Sequence, residues 1–228
     1  MPLALIVGVG DGLSASLARR LADRGYDLVL AARDTEKLAE LAAETDAVTA
    51  ACDAAEPEQV EALFATVDRL EAPLSVAVYN PSARVRGPLV ELAPEDVRRA
   101  LDVTAFGAFL VARQAARRML EAGSGTILFT GASAGVKGFA RSAPFAMGKF
   151  ALRGLAQSMA RELHPQGVHV GHVVIDGAIR NPGRTEPADS PDSMLDPDAV
   201  AEAYLQLIGQ QRSAWAWEIE LRPWVERF

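Results

Sequence analysis

Residues that could do chemistry cluster at two points of the sequence. The first is a glycine-rich run, Val7-Gly8-Val9-Gly10-Asp11-Gly12-Leu13-Ser14, between an apolar stretch and a stretch of helical periodicity. Glycines at such a bend let the backbone approach a pyrophosphate closely, and the N–H groups that open the following helix face its negative charge. We predict phosphate binding by Gly8, Gly10, Asp11, Gly12 and Leu13. A purely structural glycine turn is the alternative.

The second point is the stretch Thr126–Leu155, in which an apolar run leads through small residues into a helix that carries Lys149. Chemistry in α/β sheets sits at the carboxyl ends of strands, so a strand followed by such a bend is a good place for a site. A flexible lysine ammonium offers three hydrogen-bond donors there. Ala132 and Phe145 stand where a proton donor and its partner are expected, and neither has a polar side chain.

The end of the second apolar run, at Ala32-Arg33-Asp34, bears on the choice of cofactor. An acidic side chain at this position binds the ribose 2′-hydroxyl of NAD, whereas a nearby Arg accommodates the 2′-phosphate of NADP. Ala32 cannot do the first and Arg33 can do the second, so the sequence favours NADP(H) over NAD(H). Two alternatives weigh against this: Arg33 is also an ordinary surface residue, and Asp11 would repel a nearby phosphate. Asp34 is better placed as the N-cap of the next helix.

The elements that position these residues alternate between apolar runs of strand length and helical periodicity, the pattern of a parallel sheet covered on both faces. Seven strands are predicted, over Ala4–Val7, Asp27–Ala31, Ala47–Ala51, Leu74–Tyr79, Thr126–Thr130, Val168–Val174 and Glu218–Leu221. Six helices are predicted, over Leu13–Arg24, Thr35–Glu44, Pro57–Leu70, Pro94–Glu121, Ser142–Leu163 and Pro197–Gly209. We expect one α/β domain over residues 1–228, because no linker or internal repeat interrupts this alternation.

Composition excludes several classes of function. The 23 Lys and Arg residues against 30 Asp and Glu residues give a net charge of −7, which argues against nucleic acid and membrane surfaces as partners. A lone cysteine, Cys52, forms no internal disulfide and fits a reducing cytoplasm. The apolar N-terminus reads as a strand rather than a signal peptide, and no run approaches the ~20 apolar residues of a spanning helix. The three histidines lack metal-binding spacing, so no metal site is expected.

Several motifs resemble those of the short-chain dehydrogenase/reductase family over residues 3–221. They are Gly8-x-x-x-Gly12, Cys52-Asp53, Tyr79-Asn80-Pro-Ser82, Phe145-x-x-x-Lys149 and Asp176-Gly177. The resemblance implies a Rossmann-type doubly wound parallel sheet of about seven strands, a bound nicotinamide dinucleotide and hydride transfer to or from a carbonyl or alcohol. It also implies further cofactor contacts, from Asp53 to adenine and from Asn80, Lys149, Gly177 and Ile179 to the remainder of the dinucleotide.

The departures from the family pattern concern the proton donor. Aligned on Lys149, the family's proton-donating Tyr is Phe145, its substrate-holding Ser is Ala132, and the Asn of its proton relay is Thr104. A phenyl ring has no proton to give, so general acid catalysis by the family's usual route is closed. We therefore expect a non-standard donor, with Lys149 as the one catalytic residue kept. The other candidates are Asp176, Ser133, Tyr79 and Ser142, with Ala132, Phe145 and Ser142 lining the substrate pocket.

Two hypotheses follow. The first is an NAD(P)-dependent oxidoreductase that acts on a small carbonyl, alcohol or activated double bond. The second is a catalytically inactive relative that binds dinucleotide and serves as a sensor or assembly subunit. The long irregular segment 177–196 is either disordered or a functional lid, under which the substrate of the first hypothesis would bind.

The resemblance also implies a homodimer or homotetramer, formed through the helices Pro94–Glu121 and Ser142–Leu163. The C-terminal segment 213–228 holds all three tryptophans and departs from the family's usual ending. It is expected to pack either on its own domain or on a neighbouring subunit, because aromatic residues are enriched at interface cores.

Overall fold

The computed structural model describes residues 1–226, and its core is a sheet of seven parallel strands. These are β1 (Leu3–Val7), β2 (Asp27–Ala32), β3 (Val48–Ala51), β4 (Leu74–Tyr79), β5 (Gly125–Thr130), β6 (Val168–Ile175) and, last in the chain, β9 (Glu218–Leu221). Their order in the sheet is β3-β2-β1-β4-β5-β6-β9, and every adjacent pair is parallel. The predicted α/β class and doubly wound parallel sheet are confirmed.

Residues 1–226 contain seven α-helices, and six of them, all but α4, cover the two faces of the sheet. The seven are α1 (Leu13–Asp23), α2 (Ala39–Thr45), α3 (Pro57–Arg69), α4 (Pro94–Leu101), α5 (Gly107–Ala122), α6 (Ala143–Leu163) and α7 (Pro197–Ile208). Buried side chains of α3, α5 and α6 form one apolar layer, and those of α1, α2 and α7 form the other. Along β1, Leu3, Leu5 and Val7 enter the first layer while Ala4 and Ile6 enter the second. This alternation explains why the strand is apolar throughout.

The order of the strands in the sheet determines where a ligand-binding crevice forms. It reverses between β1 and β4, whose carboxyl ends therefore lie side by side with connections that lead away in opposite directions. A crevice forms outside the sheet at such a reversal, and ligands of open α/β sheets bind there. Both the glycine loop after β1 and the segment after β4 open onto this crevice.

The single helix predicted over Pro94–Glu121 is wrong in one respect, because a π-helical turn over Asp102–Phe106 separates α4 from α5. The carbonyl of Val103 accepts a 2.5 Å hydrogen bond from the Tyr79 hydroxyl, so a group from another element reaches into the helical ladder. Insertion of this kind is a known cause of helix irregularity. The hydroxyl of Thr104 in the same turn accepts a hydrogen bond from the backbone N–H of Ala83.

The segment 177–196 is folded in part. It contains two short strands, β7 (Ala178–Ile179) and β8 (Met194–Leu195), which pair with each other in parallel. An ion pair between Arg180 and Asp196 joins the two ends of the segment. Ile179, in β7, lines the crevice, so this end of the segment lies at the edge of the site.

The aromatic C-terminal segment packs mainly on its own domain over the residues described. The ring of Trp215 stacks on His169 with centroids 4.8 Å apart, and Trp217 packs against the core beneath Arg153. Trp224 is 82% exposed, and the final two residues of the predicted segment, 227–228, lie outside the described residues. Within residues 1–226, the helices are too short or too polar for any of them to cross a membrane.

Candidate active site

The glycine loop has the backbone of an anion-binding turn. Gly8 has φ +82°, and a Cβ atom there would lie 2.7 Å from the ring of Pro81, so only glycine fits. Helix α1 begins after Gly12 without a side-chain cap. Among residues 1–226, nothing accepts a hydrogen bond from the N–H of Leu13 or Ser14. These N–H groups lie at the positive end of the helix dipole and suit a pyrophosphate.

The side chain of Ser14, at the end of the glycine loop, stabilises the turn. Its hydroxyl donates to the carbonyl of Gly8 at 3.2 Å and accepts from the side-chain amide of Asn80 at 2.6 Å. The same amide donates to the Gly8 carbonyl at 3.3 Å. Because Asn80 follows β4, these bonds fix the glycine loop against the neighbouring strand end.

A cavity of about 440 Å³, the central cavity, lies at the strand-order reversal and collects most of the predicted site residues. Those that line it are Gly8, Gly10, Asp11, Gly12, Leu13, Asn80, Ala132, Phe145, Lys149, Gly177 and Ile179. Thr130, Arg84, Asn181 and Arg184, which the sequence reasoning did not single out, complete the wall. The glycine loop and Lys149 are thus parts of one site although 137 positions or more separate them in the chain.

A second cavity of about 560 Å³, the Arg33 cavity, continues the cleft toward the ends of β2 and β3. It shares Gly8 and Asn80 with the central cavity, and Arg33 and Asp53 line it. The Asp34 carboxylate accepts from the N–H of Glu36 and pairs with Lys37, but the N-cap of the short helix that follows, Glu36–Leu38, is Thr35 and not Asp34 as predicted.

Two charged side chains of the Arg33 cavity, Asp53 and Arg33, differ in whether they have a partner of opposite charge. The carboxylate of Asp53 forms an ion pair with Arg99 and accepts from the N–H of Ala55. No acidic group in the described part of the chain pairs with Arg33. The cavity therefore presents an available guanidinium at the position expected for a 2′-phosphate.

Lys149 is almost fully enclosed beside the central cavity. It is 2% exposed, and its Nζ donates a 2.7 Å hydrogen bond to the carbonyl of Thr130 at the end of β5. Burial, and to a smaller extent the positive charge of Arg84, lowers the pKa of Lys149 to about 7. An amine with a pKa near neutrality can both give and take a proton at physiological pH.

The positions of the missing proton donor and its partner lie where the sequence places them. Phe145, on the first turn of α6, and Ala132, after β5, both line the central cavity and are both buried. The Arg84 guanidinium lies over the Phe145 ring, with Cζ 4.6 Å from the ring centroid. At the tyrosine position the cavity thus has an aromatic face covered by a cation, and an arginine does not release its proton in proteins.

A third cavity of about 660 Å³, the outer cavity, adjoins the central one and shares Ala132 and Phe145 with it. Ser133, Ser142 and Asp176 line this outer cavity rather than the central one. The carboxylate of Asp176 lies 3.7 Å from Arg222. These three predicted residues therefore line a neighbouring cavity and not the one that Lys149 lines.

Tyr79 does not belong to the cleft. It is 1% exposed, lines none of the cavities of the cleft, and donates its hydroxyl hydrogen to the Val103 carbonyl. Burial is the main cause that raises the pKa of Tyr79 above its ordinary value. The prediction that Tyr79 takes part in catalysis is corrected here, because adjacent residues of a strand point to opposite faces and Tyr79 points into the core.

Other groups in or near the cleft are ordinary core residues. Burial raises the pKa of the Cys52 thiol to about 11, which keeps it protonated and unreactive. His172 is fully buried, and the nearby Glu218 accepts from its Nδ1 at 2.9 Å. No cluster of three or more His, Cys, Asp or Glu side chains suited to a metal ion occurs among residues 1–226.

Sequence comparison identifies the family. The sequence profile of the short chain dehydrogenases matches residues 2–186. The chain belongs to the short-chain dehydrogenase family. A protein of Streptomyces coelicolor that carries the name ketoacyl reductase is 30% identical over 189 residues, which cover 79% of this chain and 71% of that protein. The family consists of oxidoreductases, so the prediction of an enzyme class is confirmed.

Solved structures give the same family over the full length. A short-chain dehydrogenase from Rhodopseudomonas palustris superposes with a TM-score of 0.85 at 36% identity, covering 98% of this chain and 99% of that one. A metagenomic short-chain oxidoreductase in complex with NADP has a TM-score of 0.86 at 27% identity, covering 97% of each chain.

Proposed function

We propose that this short-chain dehydrogenase is an NADP(H)-preferring oxidoreductase that transfers hydride to or from a small carbonyl, alcohol or activated double bond. The observation that carries the proposal is the continuity of the cleft, from Arg33 through the glycine loop to Lys149. The phosphate-binding turn lies between the Arg33 end and the Lys149 end of this cleft. In the same way, the pyrophosphate of a dinucleotide lies between its adenosine half and its nicotinamide half. A reducing cytoplasm, as proposed from the sequence, suits the lone thiol of Cys52.

The residues present fit the cofactor. The uncapped N-terminus of α1 and the glycine at position 8 form a cradle that a Cβ atom would fill, and they would hold the pyrophosphate. Arg33 would hold the 2′-phosphate, Asp53 the adenine, and Lys149 the nicotinamide ribose. When bound, a reduced nicotinamide dinucleotide supplies the hydride. The NADP complex of the metagenomic relative supports this choice of cofactor class.

Lys149 is the group we assign to proton transfer. Phe145 has no proton to give, and Ala132 has no hydroxyl to hold a substrate oxygen. Lys149 lines the central cavity itself, and its lowered pKa of about 7 supplies a proton that an ordinary lysine would hold too tightly. Asp176 and Ser133 line the outer cavity, through which we expect the substrate to enter.

The test is the pH dependence of reduction with saturating NADPH on a panel of small ketones, aldehydes and enones. Reduction consumes a proton, so kcat/KM should fall about tenfold per pH unit above about pH 7 as Lys149 loses its proton. Lys149→Arg keeps the positive charge but cannot donate, and it should remove most of the activity while NADPH still binds. A flat profile for the wild-type protein between pH 6 and 9 would contradict the role of Lys149.

A second candidate function is a non-catalytic dinucleotide-binding subunit or sensor. The observation that favours it is the replacement of three polar positions by Phe145, Ala132 and Thr104, of which Thr104 is used to hold the Ala83 backbone. A thermal shift with NADPH together with no turnover on the full panel would favour this candidate over the enzyme.

The segment 177–196 is assigned the role of a lid. Ile179, Asn181 and Arg184 from this segment line the central cavity, and the Arg180–Asp196 ion pair closes its base. A covering segment of this kind excludes water and completes a site when a ligand binds. Limited proteolysis should cleave within 182–192 in the free protein and more slowly with NADPH bound.

We assign a homo-oligomeric assembly to the surface formed by α4, the π-helical turn, α5 and α6. The rings of Phe106 and Phe109 are exposed with centroids 6.3 Å apart, and Met147 and Phe150 are exposed on the adjacent helix. A second copy of the chain is the expected occupant, because large apolar side chains in one patch mark an interaction site. Analytical ultracentrifugation would give the dimer or tetramer.

A further inference from the structure

Three arginines converge on the outer cavity without an acidic partner. Arg84, Arg86 and Arg141 all line it, and Arg84 lines the central cavity as well. In the described part of the chain, none of the three guanidinium groups forms a salt bridge or a side-chain hydrogen bond. Unpaired arginines that share one concave surface concentrate positive potential there.

The backbone holds these arginines in place. The hydroxyl of Thr104 accepts from the N–H of Ala83 at 3.2 Å, which fixes the loop immediately before Arg84. The N–H of Gly87 donates to the carbonyl of Arg141 at 3.1 Å and ties this loop to the one that enters α6. Two hydrogen bonds, one to a helical turn and one between two loops, therefore hold these arginines near one another.

The wall of the outer cavity has fewer acidic than basic side chains, and one of the acidic ones already lies near an arginine. Asp176 and Glu226 are the acidic residues in its wall. The carboxylate of Asp176 already lies 3.7 Å from Arg222, which neutralises part of its charge. The outer cavity thus has an excess of cations toward any bound molecule.

We propose that the substrate carries an anionic group, a carboxylate or a phosphate, which Arg84 binds while the reacting carbon lies beside Lys149. This inference rests on the proposed oxidoreductase function and names its substrate class. The Arg84 guanidinium lies over the Phe145 ring, with Cζ 4.6 Å from the ring centroid, and a guanidinium offers a fork of N–H donors that suits a carboxylate or a phosphate. Phe145 is then the platform that orients Arg84, which gives a physical reason for an aromatic residue without a hydroxyl at this position.

Electrostatics support the assignment. The pKa of Arg84 is lowered by burial and then by the like charges of Arg184 and Arg86. Like charges held close together favour the binding of an anion, since the anion relieves their repulsion. The Arg84 guanidinium is not deprotonated in a protein, so it can bind an anion but cannot donate the proton of the reaction. Lys149 is the proton donor.

The geometry limits the length of the substrate. The Cζ atom of Arg84 and the Nζ atom of Lys149 lie 4.6 Å and 6.0 Å from the centroid of the same Phe145 ring. Both groups therefore lie near one ring, which places them within reach of a single small molecule such as an oxo acid or a phosphorylated hydroxyketone. A neutral ketone of the same size would leave the Arg84 guanidinium without its partner.

The test compares matched substrates with NADPH saturating. Levulinate is paired with methyl levulinate, and dihydroxyacetone phosphate with dihydroxyacetone, so that one arm reports a carboxylate and the other a phosphate. For one of the pairs, kcat/KM for the anion should exceed that for the neutral compound by about tenfold or more. Arg84→Gln should reduce this ratio by about tenfold, and Arg84→Lys should reduce it less because the charge remains.

Arg69→Gln is the matched control, because it removes an arginine from the exposed end of α3 and should leave the ratio unchanged. Circular dichroism of each variant establishes that it folds. Ratios near one for both pairs, unaffected by Arg84→Gln, would overturn the anionic substrate class while turnover of the neutral compounds still supported the oxidoreductase.

A binding measurement separates the two proposals. Succinate and inorganic phosphate, which cannot be reduced, are titrated calorimetrically into the protein with saturating NADP⁺, so that the pyrophosphate site is filled. Binding to the wild-type protein and its loss in Arg84→Gln would support the anion site even if no compound were turned over. No binding of either probe, with equal turnover of anionic and neutral compounds, would refute the inference.

Discussion

Replacing the buried Lys149 by Met should change how the free energy of unfolding depends on pH. In the folded protein the pKa of Lys149 is lowered to about 7, whereas its ordinary value, which applies to the unfolded chain, is 10.5. Between these values the unfolded state binds more protons than the folded state. Stability therefore rises with pH in this window, and below about pH 7 the contribution is constant because both states are protonated.

The expected magnitude follows from the size of the window. Each pH unit within it contributes about 1.4 kcal/mol to the free energy of unfolding. From about pH 7, where Lys149 is half protonated in the folded protein, to about pH 9, the wild-type protein should gain about 2 kcal/mol of stability relative to Lys149→Met, which has no group to titrate. Both proteins keep every other titratable group, so those groups cancel in the difference.

Urea unfolding followed by tryptophan fluorescence at several pH values measures this difference. The m-value should stay the same in both proteins while the midpoints diverge. Lys137→Met is the matched control, because Lys137 is exposed and its removal should leave a pH profile parallel to that of the wild-type protein. Parallel profiles for Lys149→Met and the wild-type protein would refute the depressed pKa and, with it, the reason for assigning proton transfer to Lys149.

Three further outcomes are expected. NADPH should raise the melting temperature more than NADH does, and Arg33→Ala should remove the difference; equal shifts in the wild-type protein would contradict the role of Arg33. Phe145→Tyr combined with Ala132→Ser should raise ketone reduction, since it restores a proton donor and a hydroxyl, and a double variant that stays inert would show that the site geometry differs further from that of the family. Phe150→Glu should shift the assembly toward monomers in analytical ultracentrifugation, because it places a charge in an apolar patch; an unchanged mass would exclude this face.

Much of the fold was predictable because the signals are local. The apolar runs of strand length and the helical periods between them set the α/β class, and the seven predicted strands are all present. Gly8 is required where it stands, since residues with a side chain rarely adopt its φ of +82°. Local rules of this kind operate within a few residues, so they can be read from the sequence.

The predictions that failed depended on contacts between distant residues. The helix over Pro94–Glu121 is interrupted because the hydroxyl of Tyr79, 24 positions away, bonds to the Val103 carbonyl. The same contact removes Tyr79 from the list of catalytic candidates. Periodicity within one helix carries no information about a hydrogen bond that arrives from a neighbouring strand.

The candidate site divides in the same way. The sequence alone identified the glycine loop, Arg33 and Lys149 as candidate site residues. It also showed that Phe145 cannot donate a proton. Both conclusions need only the residue types and their order along the chain. Only the tertiary structure placed Arg84 on the Phe145 ring, since a loop after β4 and a helix after β5 meet through folding. Burial in that assembled site, and not the lysine itself, lowers the pKa of Lys149 to about 7.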